Sequence, residues 1–337
     1  MKKVLVLGGT GAMGRYAVPE LLRLGFHVDV VALDTLPAES EHVTYTVANA
    51  MDDQWLKEFL KDKRYDAILD YMNYHLTPFK NRVDFLLDNT DHYLFLSSCR
   101  VYADEEIPVR ESSPRLLDVS KDEDYLARYE NEYSLHKAME EDLLINSGKK
   151  NWTIILPATT YSTGRSQLVT LEANTFVRRA LLGKKVILPK EAKDRPATLS
   201  WGGDVGVMIA RLVCNEKAKG EKVIVASAEH HTWEEIAKIY QQLLPLEIEW
   251  VDMETYLRAI SVNEERYPYI KYQLIYARLF HRITDNSKAL ALTGMKQEDL
   301  MPLAEGLKLE LSRVTADSFR TPEHIEKNMD AYFAAKG

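Results

Sequence analysis

Val4-Leu-Val-Leu-Gly8-Gly9-Thr-Gly11-Ala12-Met13-Gly14 is the stretch that decides the fold. Val4 to Leu7 is wholly apolar, as a short strand buried on both faces of a parallel sheet would be. Glycines at 8, 9, 11 and 14 follow at once, and a helical pattern from Ala12 to Leu24 then stops at Gly25. Gly9-x-Gly11-x-x-Gly14 has the dinucleotide-binding spacing, and Gly8 adds a second glycine frame across the same turn. Glycine serves three purposes in such a turn: it permits the tight bend, lets backbone N–H groups reach a pyrophosphate, and lets the helix pack closely on the strand. Asp34 lies 20 residues beyond Gly14, at the end of a second apolar run, where a carboxylate would hold a ribose hydroxyl.

Downstream of this unit the pattern repeats. Strands are predicted at His27–Leu33, Val43–Val47, Tyr65–Asp70, Tyr93–Ser98 and Trp152–Leu156, the last broken by Pro157. Helices are predicted at Asp53–Leu60, Pro78–Leu87 and Glu130–Ile145, with Pro19 disturbing the first helix. Strands alternating with helices predict an α/β fold with a Rossmann-like, doubly wound parallel sheet. After residue 165 the rhythm becomes irregular. Residues 1–165 are therefore read as the dinucleotide-binding domain, with later segments returning to it, and 166–337 as mainly a smaller, mixed substrate lobe.

Composition sets bounds on function. A formal net charge of −8 argues against an extended nucleic-acid footprint, which needs a basic face. Two cysteines, Cys99 and Cys214, give no disulfide framework, and no spacing suggests a metal site. No apolar run reaches membrane-spanning length and no signal peptide is visible, so a cytoplasmic protein without membrane association is expected.

Tyr133-Ser-Leu-His-Lys137 is the second informative stretch. Residues four apart on a helix share a face, so a phenol and an ammonium would project together. A cation beside a tyrosine favours the phenolate, which lets it take a proton from a hydroxyl near neutral pH. Tyr267-Pro-Tyr-Ile-Lys271 has the same spacing and serves as an internal control, its Pro268 predicted to spoil the helix. Tyr133 differs in place: it falls between Ser98, at the C-terminal end of one predicted strand, and the next strand. Ligands bind at that edge of a doubly wound sheet.

Taken together, Gly8–Gly14, Asp34, Ser98, Tyr133 and Lys137 resemble the extended short-chain dehydrogenase/reductase family, the branch of NAD-dependent sugar-nucleotide epimerases and dehydratases. Leu96-Ser-Ser-Cys-Arg-Val-Tyr102 is similar to its strand-five segment, and Glu111 and Pro114 to the loop that follows. Tyr161-Ser-Thr-Gly164 resembles the family's YGPG segment. Asp285-Asn-Ser-Lys288, Gly294 and Glu305-Gly306-Leu307 resemble its C-terminal elements.

That resemblance implies an enzyme in which Tyr133 is the base, Lys137 binds the nicotinamide ribose and lowers the tyrosine pKa, and Ser98 bonds the reacting oxygen. It implies NAD held by Gly8, Gly11, Ala12, Met13, Gly14, Asp34, Asn49, Ala50, Tyr133, Lys137 and Pro157. Asp34 followed by Thr35 favours NAD over NADP, and Arg15 reads as an exposed helix arginine. The substrate implied is a nucleotide sugar, with Arg165 and Arg195 as candidates for its diphosphate, while Arg178 and Arg179 read as solvent-facing. A homodimer through the helices around Pro78–Leu87 and Glu130–Ile145 follows by analogy. The activity most in keeping is epimerisation at a carbinol. The alternatives are a net NAD(P)-dependent reductase or dehydrogenase of a small carbonyl substrate, and a non-catalytic RNA-binding or regulatory relative. Several positions depart from the family pattern, among them Asn49 at a usually acidic position, Leu156 where many relatives carry an arginine, and two segments. Asp70-Tyr71-Met72-Asn73 replaces a small Ala-Ala pair at the cofactor, and Cys99-Arg100 replaces the Asp-Glu pair of 4,6-dehydratases, which disfavours dehydration.

Overall fold

In the computed structural model, which describes residues 1–38, 40–263 and 267–336, the apolar run Lys3–Leu7 is strand β1 at the heart of a seven-stranded sheet. The other strands are β2 (His27–Ala32), β3 (Val43–Val47), β4 (Ala67–Asp70), β5 (Tyr93–Leu96), β6 (Trp152–Pro157) and β7 (Glu221–Val225). Their order is β7-β6-β5-β4-β1-β2-β3, and all neighbours run parallel. The chain crosses over between β3 and β4, so β1 and β4 flank the switch point where such sheets bind ligands. The doubly wound fold expected from the sequence is the one formed.

Side chains alternate along β1. Val4 and Val6 join a buried cluster with helices α1 (Gly14–Arg23) and α5 (Gly202–Leu212), and Leu5 and Leu7 join one with α2 (Asp53–Leu60), α3 (Leu76–Asp88) and α4 (Tyr133–Ile145). Each fully buried aliphatic chain of this kind contributes about 1.5–3 kcal/mol. A sixth helix, α6 (Ser287–Thr293), packs on α5 and β7. Gly206 permits the close approach of α5 to α1: a Cβ there would lie 2.8 Å from Met13 O and from Tyr16 Cβ.

Several boundaries differ from those predicted. α1 starts at Gly14, because residues 11–13 are used in the glycine turn, and Pro19 sits exposed inside it. α4 starts at Tyr133, since Glu132 is extended (φ −85°, ψ 117°) and acts as its cap. β6 includes Pro157, paired with Val225.

Two units divide the chain. Met1–Ala158, Gly202–Ser227 and Thr284–Leu300 form the sheet unit; Thr159–Trp201, Ala228–Ile283 and Met301–Gly337 form the other. The second unit has its own core around Phe176, Tyr240, Trp233 and Leu307. Its parallel strand pairs are Thr159–Tyr161 with Leu199–Trp201 and Val186–Pro189 with Ile248–Val251. Around them stand helices Ala173–Leu181, Trp233–Leu243, Met253–Ile260, Leu303–Leu311 and Glu323–Ala334. The control motif is helical after all: Tyr267–Gln273 forms a helix with the proline second, where a missing N–H removes no intrahelical bond. Among the described residues no helix is long and apolar enough to cross a membrane.

Candidate active site

The glycines divide their work. A Cβ on Gly9 would lie 2.8 Å from Val30 Cγ1 and 2.9 Å from Val6 Cγ1, and one on Gly14 would overlap the Gly9 backbone. Those two glycines permit packing. Gly11 is exposed, and a Cβ there would meet only Gly8 O, at 3.4 Å, so nothing crowds that face of the turn, while its own N–H is spent on Gly8 O at 3.2 Å. Met13 buries its side chain in the core, leaving only its backbone for a ligand, while Ala12 is half-buried. Asp34, two residues past β2, is exposed, and its carboxylate accepts a hydrogen bond from Thr10 Oγ1 at 2.5 Å. An uncrowded turn with an acid held beside it fits a dinucleotide, the former for pyrophosphate and the latter for ribose. Arg15 is not the exposed arginine expected. It is half-buried, and its Nε is shielded from solvent with no hydrogen-bond partner among the described residues.

The unusual end of β4 resolves into two parts. Asp70 is turned inward at 1 % exposure and accepts from Tyr74 Oη and Tyr93 Oη, both at 2.8 Å, and from the Met72 N–H at 2.9 Å. Burial pushes its carboxyl above the usual range, and the same burial raises both phenols well above theirs. Tyr71 packs into the α1/α5 cluster, while Met72 Sδ lies 3.2 Å from where a Gly8 Cβ would be, closing on the glycine turn.

The loop after β3 is held from behind by Arg82 of α3. Its guanidinium donates to Ala50 O at 3.1 Å and Met51 O at 2.8 Å and pairs with Asp53. In that loop Asn49 is exposed, its amide oxygen occupied by the Met51 N–H at 3.0 Å, and Ala50 is buried. Pro157 is buried at the end of β6. Sequence reasoning missed Arg82 and read Asp70 only as part of a departure from the family pattern. The available signal was an acid closing the apolar run Ala67-Ile68-Leu69, followed four residues later by Tyr74, since a buried carboxylate needs donors.

Ser98 and Tyr133 each touch Arg100, by different parts of it. Ser98 follows β5, and its Oγ accepts the Arg100 N–H at 3.2 Å, starting one turn of 3₁₀ helix over Cys99–Val101. The Arg100 guanidinium carbon then lies 4.8 Å from the centroid of the Tyr133 ring. His136 meets that ring edge-on, with centroids 5.5 Å apart. Glu141, fully buried, ties α4 to the sheet by accepting from Ser97 Oγ at 2.5 Å and pairing with Lys222 at 3.0 Å. Lys137 is 1 % exposed. Its ammonium donates to Glu140 Oε2 at 2.9 Å and lies 4.6 Å from the Phe95 centroid, and His136 Nδ1 sits 3.1 Å from the other Glu140 oxygen. Cys99 is a packing residue, its thiol directed to Leu156 O at 3.3 Å.

The arginines of the second unit separate as well. Arg165 is exposed in a turn, bridged through its backbone to Ser162. Arg195 is half-buried, with Nη1 3.3 Å from His281 Nε2. The solvent-facing expectation fails for Arg179, which is 1 % exposed and pairs with Glu326 at 3.1 Å and Asp330 at 2.9 Å, fastening Ala173–Leu181 to Glu323–Ala334. Arg178 is half-buried. No group of three or more metal-ligating side chains is found among the described residues.

The parallel sheet and the glycine turn at its switch point are those of a Rossmann-like dinucleotide-binding fold. The model of the NAD dependent epimerase/dehydratase family matches residues 4–197, and the chain belongs to that family. A UDP-glucose 4-epimerase of Lactobacillus helveticus is 27% identical over 135 aligned positions, which span 33% of this chain and 40% of that protein. Among solved structures, the UDP-glucuronic acid 4-epimerase of Bacillus cereus, in complex with UDP-glucuronic acid and NAD, superposes with a TM-score of 0.66 at 14% identity, over 92% of this chain and 98% of that one. The UDP-glucose 4-epimerase of Thermus thermophilus, in complex with NAD, gives 0.66 at 16% identity over the same shares.

Proposed function

We propose that this protein binds NAD and epimerises a nucleotide sugar at a carbinol carbon. The observation that carries this is the placing of Ser98 and Tyr133 about one arginine, with Lys137 one turn along α4 from the tyrosine. When bound, the nicotinamide supplies a reversible hydride acceptor. The chain's own residues do the rest. As its phenolate, Tyr133 takes the carbinol proton and gives it back when the carbinol is re-formed, the Ser98 hydroxyl bonds the same oxygen, and Lys137, fixed by Glu140, meets the nicotinamide ribose. Gly8, Gly11, Ala12, Met13 and Gly14 are assigned to the pyrophosphate, Asp34 to the adenosine ribose, Asn49 and Ala50 to adenine, and Pro157 to the nicotinamide end. Arg165 and Arg195 are the candidates for the substrate diphosphate, as guanidinium forks match it geometrically. A curated relative and solved structures named as epimerases support this reading. A homodimer through α3 and α4 belongs to the same proposal.

The test is to incubate the NAD-loaded protein with UDP-, dTDP- and GDP-sugars and to separate the products. Interconversion of two stereoisomers without release of NADH supports epimerisation, whereas stoichiometric NADH would make the protein a net dehydrogenase. No turnover and no binding across the panel would refute a nucleotide-sugar substrate.

A further inference from the structure

Arg100 is built unlike a structural arginine. Its side chain is 22% exposed, so most of it is withdrawn from water. A guanidinium carries five N–H donors, and one so placed ordinarily spends several of them on protein acceptors. Here, among the described residues, none of those donors makes a hydrogen bond. Nε is shielded from solvent without a partner, and the nearest carboxylate, Glu132, stands at 3.6 Å from Nη2. The remaining contact is the face of the Tyr133 ring. Such a contact is worth about 0.5–2 kcal/mol and satisfies no donor.

Position adds to this. The Arg100 backbone N–H is spent on Ser98 Oγ, and its guanidinium, with its donors unspent, lies over the ring of Tyr133, the tyrosine assigned to the reacting carbinol. Glu132 compensates it incompletely: at 3 % exposure, burial pushes the Glu132 carboxyl upward, with Arg100 and Arg128 opposing that shift. A cation with spare planar donors in a partly dried site takes an anion, and a carboxylate matches the guanidinium fork through two parallel bonds.

We propose that Arg100 binds the substrate and selects a sugar that carries a carboxylate beside the reacting carbinol, that is, a nucleotide-linked uronate over its neutral hexose counterpart. The proposal rests on the epimerase reading above and adds the class of sugar. It assigns the loss of the acidic pair at 99–100 a positive purpose: an acid at position 100 would repel such a substrate, and an arginine holds it.

The test uses the NAD-loaded full chain and calorimetric titration with UDP, UDP-glucose and UDP-glucuronate, repeated with the dTDP-linked pair. The uronate binds about tenfold or more tighter than the hexose, as a charge-assisted pair of bonds gives. Arg100→Met reduces that preference to less than about threefold and leaves affinity for the free nucleoside diphosphate unchanged, while Arg100→Lys keeps part of it, as a cation without the fork would. Equal binding of hexose and uronate by the unsubstituted protein overturns the Arg100 assignment and leaves the nucleotide-sugar reading standing, and this arm needs no variant to fold. An equal loss for both sugars in Arg100→Met makes Arg100 a prop for Tyr133 and also overturns it. Failure of every nucleotide to bind refutes the broader reading and the assignment with it.

Discussion

Lys137 and Glu140 form an ion pair at 2.9 Å in which neither side chain is more than 1 % exposed. The lysine expected to act on the Tyr133 phenol is thus neutralised from its own helix, one turn further on, and the cation facing the phenol ring is Arg100. Removing one member of a buried pair leaves the other charge uncompensated in a low dielectric. Glu140→Ala is expected to destabilise the fold by about 3–5 kcal/mol, read from urea denaturation. Glu140→Gln keeps a hydrogen-bond acceptor for the ammonium, and it should fold well enough to show whether NAD affinity depends on the fixed position of Lys137.

Tyr133→Phe should lower turnover about a hundredfold or more, as loss of a positioned base does, while NAD affinity changes little. Tyr267→Phe is the matched control. Tyr267 donates to Glu254 at 2.6 Å, and burial with that carboxylate pushes its phenol up to about 12, the wrong direction for a base. Turnover lost at 267 and kept at 133 would reverse the assignment.

On the proposed reading, Asp34 favours NAD over NADP. Held by Thr10, its carboxylate would repel the 2′-phosphate of NADP and accept from the 2′-hydroxyl of NAD. Calorimetry should show NAD binding the tighter of the two, and Asp34→Ala should narrow the gap. Equal affinities in the unsubstituted protein would contradict this role for Asp34.

His92 makes folding stability depend on pH. It is fully buried, and burial, reinforced by Lys219, lowers its pKa to about 4. Its partners hold the neutral ring: Nδ1 accepts the Cys214 N–H at 3.1 Å, and Thr153, whose hydroxyl donates to Ala218 O at 2.6 Å, offers its lone pair to the Nε2 side at 2.7 Å. The unfolded histidine titrates near 6.5, so between pH 6.5 and 4 the unfolded chain binds the extra proton. Stability from this group is complete above about pH 6.5 and is lost as pH falls toward 4, by up to roughly 3 kcal/mol. Urea titrations across that window should show the slope, and His92→Gln should flatten it.

Gly206→Ala tests the α1–α5 contact. The added methyl meets backbone atoms and a Cβ, none of which can swing away, so a loss of about 1–3 kcal/mol is expected, seen as a lowered Tm.

The sheet was legible because its signals are local. Val4–Leu7, the glycines and Asp34 lie within one βαβ unit, and apolar runs bounded by turns located six of the seven strands. β7 holds a further apolar run, Val223–Ala226, but its return to the edge of the sheet after an intervening unit is a long-range event that periodicity does not encode. Ser98, Tyr133 and Lys137 were singled out by spacing and order, and their roles belong to the proposed function. Arg100 was noticed only as a departure from a pattern, because its meaning depends on which ring it lies over. Arg179 looked like a surface residue since its partners, Glu326 and Asp330, stand some 150 positions away on a helix that the sequence pattern did not separate from the tail. Pro268 misled for a simpler reason: a proline counts against a helix only beyond the first turn.

Arg82, anchored in α3 and bonded to two successive carbonyls after β3, bears on the thermodynamics of cofactor capture. A loop already fastened at Ala50 and Met51 has little conformational freedom left to surrender when an adenosine arrives, and each residue spared that ordering saves about 1–2 kcal/mol of entropy. On the proposed assignment of Asn49 and Ala50 to adenine, the adenosine end of the site is in that sense prepaid by folding. A mutation at Arg82, remote from any reacting atom, would return that entropy to the free protein and weaken the dinucleotide's grip while leaving the chemistry at Tyr133 untouched.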